Sequence, residues 1–328
     1  MIAIQTIART AMFAACAGVA HLAVAQATNW PDRAVKIVMP FPAGGASDVL
    51  TRILAEQLQS RLGQTFVVEN RTGAGGNIGM EAGSKAAPDG YTITSATIGT
   101  LSINQYLFKS LPYDPERGFV YASTFWANCN VVMVSPQHNP AKTMVEFLAW
   151  ARAQPKGITY GSSGVGTTPH LSGALFGLRT GISATHVPTR GAPQTIPMLL
   201  SGALDTSIDN IASYAGMLAS GQMRGLAVTC PERWPNLPDL PTMAEAGIAD
   251  FVITSWGALV MPAGTPAPIV DKLSRTVAEI ATDAAVQKRF LGAGARITAS
   301  SPQETVSFVA RERLKWSEMV RLSGAKAD

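Results

Sequence analysis

Val35-Lys-Ile-Val-Met-Pro-Phe-Pro-Ala-Gly-Gly-Ala-Ser-Asp48 is the stretch that decides the fold. A β-branched apolar run stops at Pro40. A loop with two prolines and two glycines follows, and Ser47-Asp48 opens the amphipathic run Val49 to Leu62. The order predicts strand, loop and helix. Ser and Asp are capping types for a helix start. A helix's first turn presents unpaired N–H groups and a partial positive charge. Gly44 and Gly45 let another molecule come close to the main chain. The joint is thus a place for an anion, a carboxylate or a phosphate. Such joints occur in every α/β protein, so the rest of the chain has to support the assignment.

Outward from this stretch the pattern repeats. Phe66 to Glu69 reads as a strand and runs into the glycine-rich loop Asn70 to Gly79, with a helix through Ala86. Pro88-Asp-Gly90 is a turn, and Tyr91 to Thr97 alternates as a strand. Successive strand–helix–strand steps make a parallel sheet with helices on its faces. A second series begins near Trp126. Its strands are Val131 to Val134, Ile158 to Tyr160, Thr185 to Val187, Leu204 to Ile208 and Met223 to Val228. Gly161-Ser-Ser-Gly-Val-Gly-Thr-Thr-Pro-His170 repeats the opening device, and Arg190-Gly191 and Asp209-Asn210 form further strand–helix joints. Val252 to Met261 is a long strand. The late helices, 269–281, 284–291 and 302–322, have no sheet of their own, so the chain returns and packs them on the first lobe. The fold class is α/β, with two Rossmann-like lobes and a ligand cleft between them. Residues 26–128 and 252–328 form lobe 1 and residues 129–251 form lobe 2.

Residues 1–25 read as a signal peptide. Arg9 is its positive end, Ala11 to Ala25 its apolar segment, and Ala23-Val-Ala25 its cleavage site, with Gln26 as the mature start. Cys16 weakly suggests a lipobox, but the apolar run continues past it. The protein is expected to be periplasmic. The chain of 328 residues is 47% hydrophobic and 15% charged, with a net charge of +4. Its lysines and arginines are scattered, which argues against nucleic-acid binding. Cys129 and Cys230 remain after cleavage, and either a disulfide or two buried thiols fits the sequence.

No catalytic set emerges. Gly161-Ser-Ser163-Gly164-Val165 lacks the second glycine of a nucleophile elbow. His138, His170 and His186 have no metal-ligand spacing. Gly73 and Gly75 match two glycines of a dinucleotide fingerprint, but Ile78 occupies the place of the third, and no P-loop ending exists. No cofactor or metal is expected. The loops do offer neutral donors: Ser47, Thr97, Ser162, Ser163, Thr167, Thr168 and glycine amides such as that of Gly45. Four or five charge-assisted hydrogen bonds give about 6–15 kcal/mol, against about 4–15 kcal/mol of lost rigid-body freedom. A carboxylate can therefore be held without a buried arginine.

The ordered motifs Trp30-Pro-Asp-Arg33, Pro40 to Asp48, Val68-Glu-Asn-Arg-Thr-Gly-Ala-Gly-Gly-Asn-Ile-Gly79, Pro88-Asp-Gly-Tyr91, Leu111-Pro-Tyr-Asp114, Gly161 to His170 and Asp205-Thr-Ser-Ile-Asp209 resemble those of the Bug receptors. These are extracytoplasmic solute-binding proteins of tripartite tricarboxylate transporters. The resemblance spans the mature chain. It implies a periplasmic-binding-protein type of fold that closes on an organic carboxylate, a di- or tricarboxylate or an aromatic one. It also implies delivery to a two-subunit membrane component. It carries Phe41, Ala43, Ser47, Asp48, Ser163, Thr167, Thr168, His170 and Asp209 into the site. Asp48 and Asp209 read equally well as helix caps. Thr189 departs from the family, which often has Tyr there. The expectation is a monomeric, non-enzymatic receptor. The alternatives are a secreted hydrolase using His170 with a loop serine, or a sensor feeding a signalling partner.

Overall fold

The computed structural model describes residues 29–327. The signal segment, Cys16 and the mature start at Gln26 lie outside the described residues.

β1 (Val35–Met39) is buried at four of its five positions, as a parallel strand covered on both faces must be. α1 (Ala46–Leu62) follows and buries Leu50, Leu54 and Leu58 completely. Gly63 then ends it in the left-handed conformation, φ 73°, which costs glycine nothing. β2 (Phe66–Asn70) and β3 (Thr92–Thr97) pair in parallel on either side of β1. α2 (Asn77–Ser84) connects them. A π turn at Gly99–Ile103 and the short α3 (Asn104–Leu107) come next.

The organising element is one that the sequence pattern showed only in part. β4 (Phe119–Val134) is a single strand of 16 residues. Its last four residues were legible as a strand. The rest, with Ser123, Thr124, Asn128 and Asn130 interrupting the apolar run, has no simple alternation because it is buried on both faces. Over Phe119–Cys129 it pairs antiparallel with β9 (Thr254–Pro262), which in turn pairs with β3. Over Asn130–Val134 it pairs with β7 (Thr206–Asn210) and β8 (Arg224–Val228). β5 (Ile158–Ser162) joins β7 and β6 (Ala184–Pro188) in parallel. The order is β2-β1-β3-β9-β4-β7-β5-β6. β4 thus runs out of one half of the sheet and into the other.

Thr229 stitches the strands at this crossing. Its hydroxyl accepts from the Asn130 amide at 2.9 Å and donates to the Ile253 carbonyl at 2.6 Å. Beside it, Cys129 and Cys230 form a disulfide with their Cα atoms 5.3 Å apart. Of the two readings the sequence allowed for these cysteines, the bonded one is present.

α4 (Met144–Arg152), α5 (Thr168–Thr180), α6 (Ala192–Leu200) and α7 (Ile211–Ala219) belong to the half of the sheet built on β5, β6 and β7. α8 (Ala267–Ala281) and α9 (Ala284–Gly292) place Leu273, Val277, Ile280 and Phe290 in one core with Leu50 and Leu54. α10 (Pro302–Ser323) behaves differently from the expectation that the late helices cover one lobe. It packs on β4 and on the π turn, but it also reaches α5. With 22 residues it is about 33 Å long, enough to bridge both halves. Among the described residues no helix is long and apolar enough to cross a membrane.

Candidate functional site

Four strands on the two halves of the sheet each feed a helix that starts at the cleft. The N-cap residues are Gly45 for α1, Thr167 for α5, Gly191 for α6 and Asn210 for α7. None of the four N-cap residues caps its own helix with its side chain. All four N-cap residues line one cavity of about 50 Å³. Away from the cavity both kinds occur: α2, α3 and α8 also lack a side-chain cap. Thr143, Asp283 and Ser301 cap α4, α9 and α10 with their side chains, and none of them lines this cavity. The orphan N–H groups of a helix start need an acceptor. Here four helix starts, each with its share of positive helix dipole, face a common space, although Pro169 and Pro193 remove one N–H each and the Ala46 N–H is taken by Ser213. No Asp, Glu, Lys, Arg or His lines the cavity. A carboxylate can thus be neutralised by main-chain groups without a counter-charge.

The hydroxyls divide into two groups, because each has a single proton to donate. Ser163 gives its proton to Asp209 Oδ2 at 2.6 Å, Thr167 to the Gly164 carbonyl at 2.6 Å and Thr168 to Asn130 Oδ1 at 3.5 Å. These three hydroxyls shape the loop and keep no proton for an anion. Ser213 accepts from the Ala46 amide at 3.0 Å, which leaves its own proton available. Ser47, Thr97 and Ser255 also line the cavity.

Of the residues expected in the site, Phe41, Gly45, Ser47, Thr97, Ser163, Thr167 and Thr168 line the cavity together. Ala43, Asp48, His170 and Asp209 do not. Ala43 is exposed on the loop. Asp48 is buried and folds the loop from behind. It accepts from the Gly44 amide at 2.9 Å, from Asn70 Nδ2 at 2.8 Å and from Arg52 through two bonds of 3.0 Å. Asn70 also donates to the Phe41 carbonyl at 2.8 Å. Burial works to raise the pKa of Asp48, but hydrogen bonds from Arg52, Asn70 and Gly44 outweigh it and hold the carboxyl below its usual range. Asp209 is fully buried, and burial pushes its pKa up despite donors from Ser163, Asn210 and Tyr214.

His170 also lies behind the cavity wall. Its ring stacks on His186 with centroids 4.3 Å apart, and Gly166 N donates to its Nδ1 at 3.4 Å. The serine that reaches a histidine is Ser162, 2.7 Å from His186 Nε2, and Ser162 is fully buried. Among the described residues no serine is hydrogen-bonded to the His170 ring, the contact that the hydrolase alternative required. Among the described residues no group of His, Cys, Asp and Glu could hold a metal ion.

Sequence reasoning missed Gly191, Asn210, Ser213 and Ser255 as lining residues. Gly191 and Asn210 sit at strand–helix joints that were noted without being assigned to the site. Applying the rule that ligands bind at strand carboxyl ends to every joint would have found both. Ser213 and Ser255 carry no local signal. Phe41, Pro42 and Ser163 also line an outer cleft of about 540 Å³, walled by Gly73 to Gly76, Thr189 and Arg190. The second glycine-rich loop therefore flanks the entrance and not the inner cavity.

The family model for the tripartite tricarboxylate transporter family receptor, TctC, matches residues 50–324. The protein BugT of Bordetella pertussis is 35% identical over 316 residues, 96% of each chain. The structure of Rpa4515 from R. palustris with adipate superposes with a TM-score of 0.88 at 34% identity, covering 90% of this chain and 98% of that one. MatC from Rhodopseudomonas palustris with bound malate gives 0.82 at 28% identity, covering 89% and 100%. The chain belongs to the TctC family of tripartite tricarboxylate transporter receptors: it is a two-lobed, non-enzymatic solute-binding protein.

Proposed function

We propose that this protein captures a small organic carboxylate in the periplasm, closes its two lobes on it and delivers it to a two-subunit membrane transporter. The carrying observation is the convergence of four helix N-termini, none capped by its own N-cap side chain, on a cavity that no charged residue lines. The ligands of two neighbours, adipate and malate, are both small carboxylates. On this reading residues 129–251 form one lobe and the flanking segments the other, with the crossing at Cys129 as hinge. The signal peptide is cleaved after Ala25, and the mature receptor is a monomer.

The test uses the mature chain from Gln26, unfolded and refolded to strip any carried ligand. Its melting temperature is measured against aliphatic, hydroxylated, aromatic and amino carboxylates. A ligand at a hundredfold excess over its dissociation constant adds about 2.7 kcal/mol, several degrees of shift. A shift with an acid and none with its methyl ester or amide supports the reading. Equal shifts with acid and ester, or no shift across the panel, overturn it.

A further inference from the structure

α10 ends at Ser323, and Gly324 turns the chain out of it with φ 63°. Glycine takes this left-handed conformation without strain. The Ala325 amide donates to Ser323 Oγ at 3.3 Å and fixes the exit. Residues 325–327 have no regular structure, yet they alternate. Ala325 and Ala327 are half-buried against the core, and Lys326 between them is exposed. A tail with nothing to hold it lacks such a pattern. Its place is specific too, because Ala327 lines the outer cleft. Phe108 and Gly73 to Gly76 wall that cleft from the half of the sheet built on β1, and Val165, Thr189 and Arg190 wall it from the other half. The two halves meet closely at this mouth. A Cβ on Gly75 would lie 2.5 Å from the Val165 carbonyl oxygen, and one on Gly166 would lie 3.5 Å from the Phe108 ring. The outer cleft shares Phe41, Pro42 and Ser163 with the inner cavity, so a ligand leaving that cavity passes this way.

The tail is anchored by a helix that packs on both halves: α10 rests on β4 and on the π turn and reaches α5. A wall built from both halves is continuous only while they are together, so a tail seated on it loses its seat when they part. We propose that residues 324–327 are a strap across the mouth of the cleft, which holds the loaded receptor shut and sets the rate at which it releases its carboxylate. This rests on the carboxylate-receptor reading above. The side chains suit a contact that is made and broken with every ligand. Alanine loses no rotamer freedom on seating, and its single methyl group buries little apolar surface. The strap therefore slows opening and does not prevent it. It acts after the ligand has entered, because the open cleft offers it no complete wall. Its removal speeds release and leaves capture as it was.

The test is stopped-flow measurement of capture and release by the refolded mature chain, by a variant lacking residues 324–328 and by Gly324→Val. Valine strains the left-handed turn but meets nothing within 4 Å, so this substitution redirects the tail and leaves α10 in place. The probes are adipate, malate, benzoate and glutamate, and rates are taken with the tightest binder. Both variants are expected to release it about threefold or more faster, as loss of a buried methyl contact implies. Capture should stay within about twofold of the unaltered rate, since such changes fall mainly on dissociation. The ligand-free melting temperature should stay the same. An unchanged release rate in the deletion variant overturns the proposal and leaves the receptor reading standing. Equal acceleration of capture and release overturns it too, because the tail is then a passive cover. Faster release that comes with a lower ligand-free melting temperature, and is absent from Gly324→Val, overturns it as general loosening. No binding of any of the four acids overturns the receptor reading and this proposal with it.

Discussion

The main-chain N–H of Ala46 donates to Ser213 Oγ at 3.0 Å, joining the first residue of α1 to the first turn of α7 across the cleft. The serine does for α1 what a capping side chain would do, but from the opposite side of the cavity. On the proposed closure, this contact satisfies one donor that an open cleft would leave to water. A neutral hydrogen bond of this kind contributes about 0.5–1.5 kcal/mol. Ser213→Ala is expected to weaken carboxylate binding about two- to tenfold by calorimetry. The melting temperature of the ligand-free protein should fall by no more than the loss of one such bond accounts for.

Closure can also be blocked at Gly99, in the wall of the inner cavity. A Cβ built on Gly99 would lie 2.8 Å from the Gly166 carbonyl oxygen, across the cleft and on main chain that cannot rotate away. Gly99→Ala requires no unusual backbone, so each half should fold normally. Ligand affinity is expected to drop at least about tenfold. Small-angle scattering should show no decrease in radius of gyration on adding ligand, whereas the unaltered protein contracts.

The stacked histidines make stability depend on acidity. Burial pushes His170 and His186 down to about 4 from an ordinary 6.5, with the His170 charge adding to the effect on His186. Between these values the unfolded chain binds protons that the folded chain does not, so stability rises with pH there. The contribution is complete above about pH 6.5 and is lost as pH falls through about 4. Each histidine can add at most about 1.4 kcal/mol per pH unit. Melting temperature should fall steadily from pH 7 to pH 4.5. His186→Gln, which retains a partner for Ser162, should flatten that slope. An unchanged slope would mean that other groups govern it.

The disulfide closes a separation of 101 residues at the crossing between the halves of the sheet. Long closed loops restrict the unfolded chain, and removal of such a bond typically costs about 2–4 kcal/mol. The double substitution Cys129→Ser, Cys230→Ser is expected to lower the urea midpoint accordingly, and alkylation of the unreduced mature protein should label neither cysteine. Because Thr229 holds the same crossing by hydrogen bonds, carboxylate affinity should change less than about threefold.

What was readable in the sequence was what depends on neighbours along the chain. The joint from Val38 to Asp48 reads correctly because a β-branched run, a proline–glycine loop and a helix start are local patterns. So do the loop through Ser163 and Thr167 and the glycine stop at Gly63. β4 was largely hidden because a strand buried on both faces has no period to detect. The two carboxylates, Asp48 and Asp209, looked like ligand contacts or caps. They are instead buried supports that aim Gly44 and Ser163, and no sequence pattern distinguishes a carboxylate facing a cavity from one standing behind it.

The sequence by itself determined the α/β class, the family, the anion-ready loops and the absence of any motif for catalysis, because each rests on composition, local periodicity or motif order. The tertiary structure alone decided which groups face the cavity. Four helix starts separated by up to 165 residues of chain meet at one point only after β4 has tied the two halves together. Whether a hydroxyl has a proton left to give depends on what stands opposite it. Ser163 gives its proton to Asp209, and Ser213 keeps its own. Hydrogen bonds act over about 3 Å between particular atoms, and sequence order carries no distances.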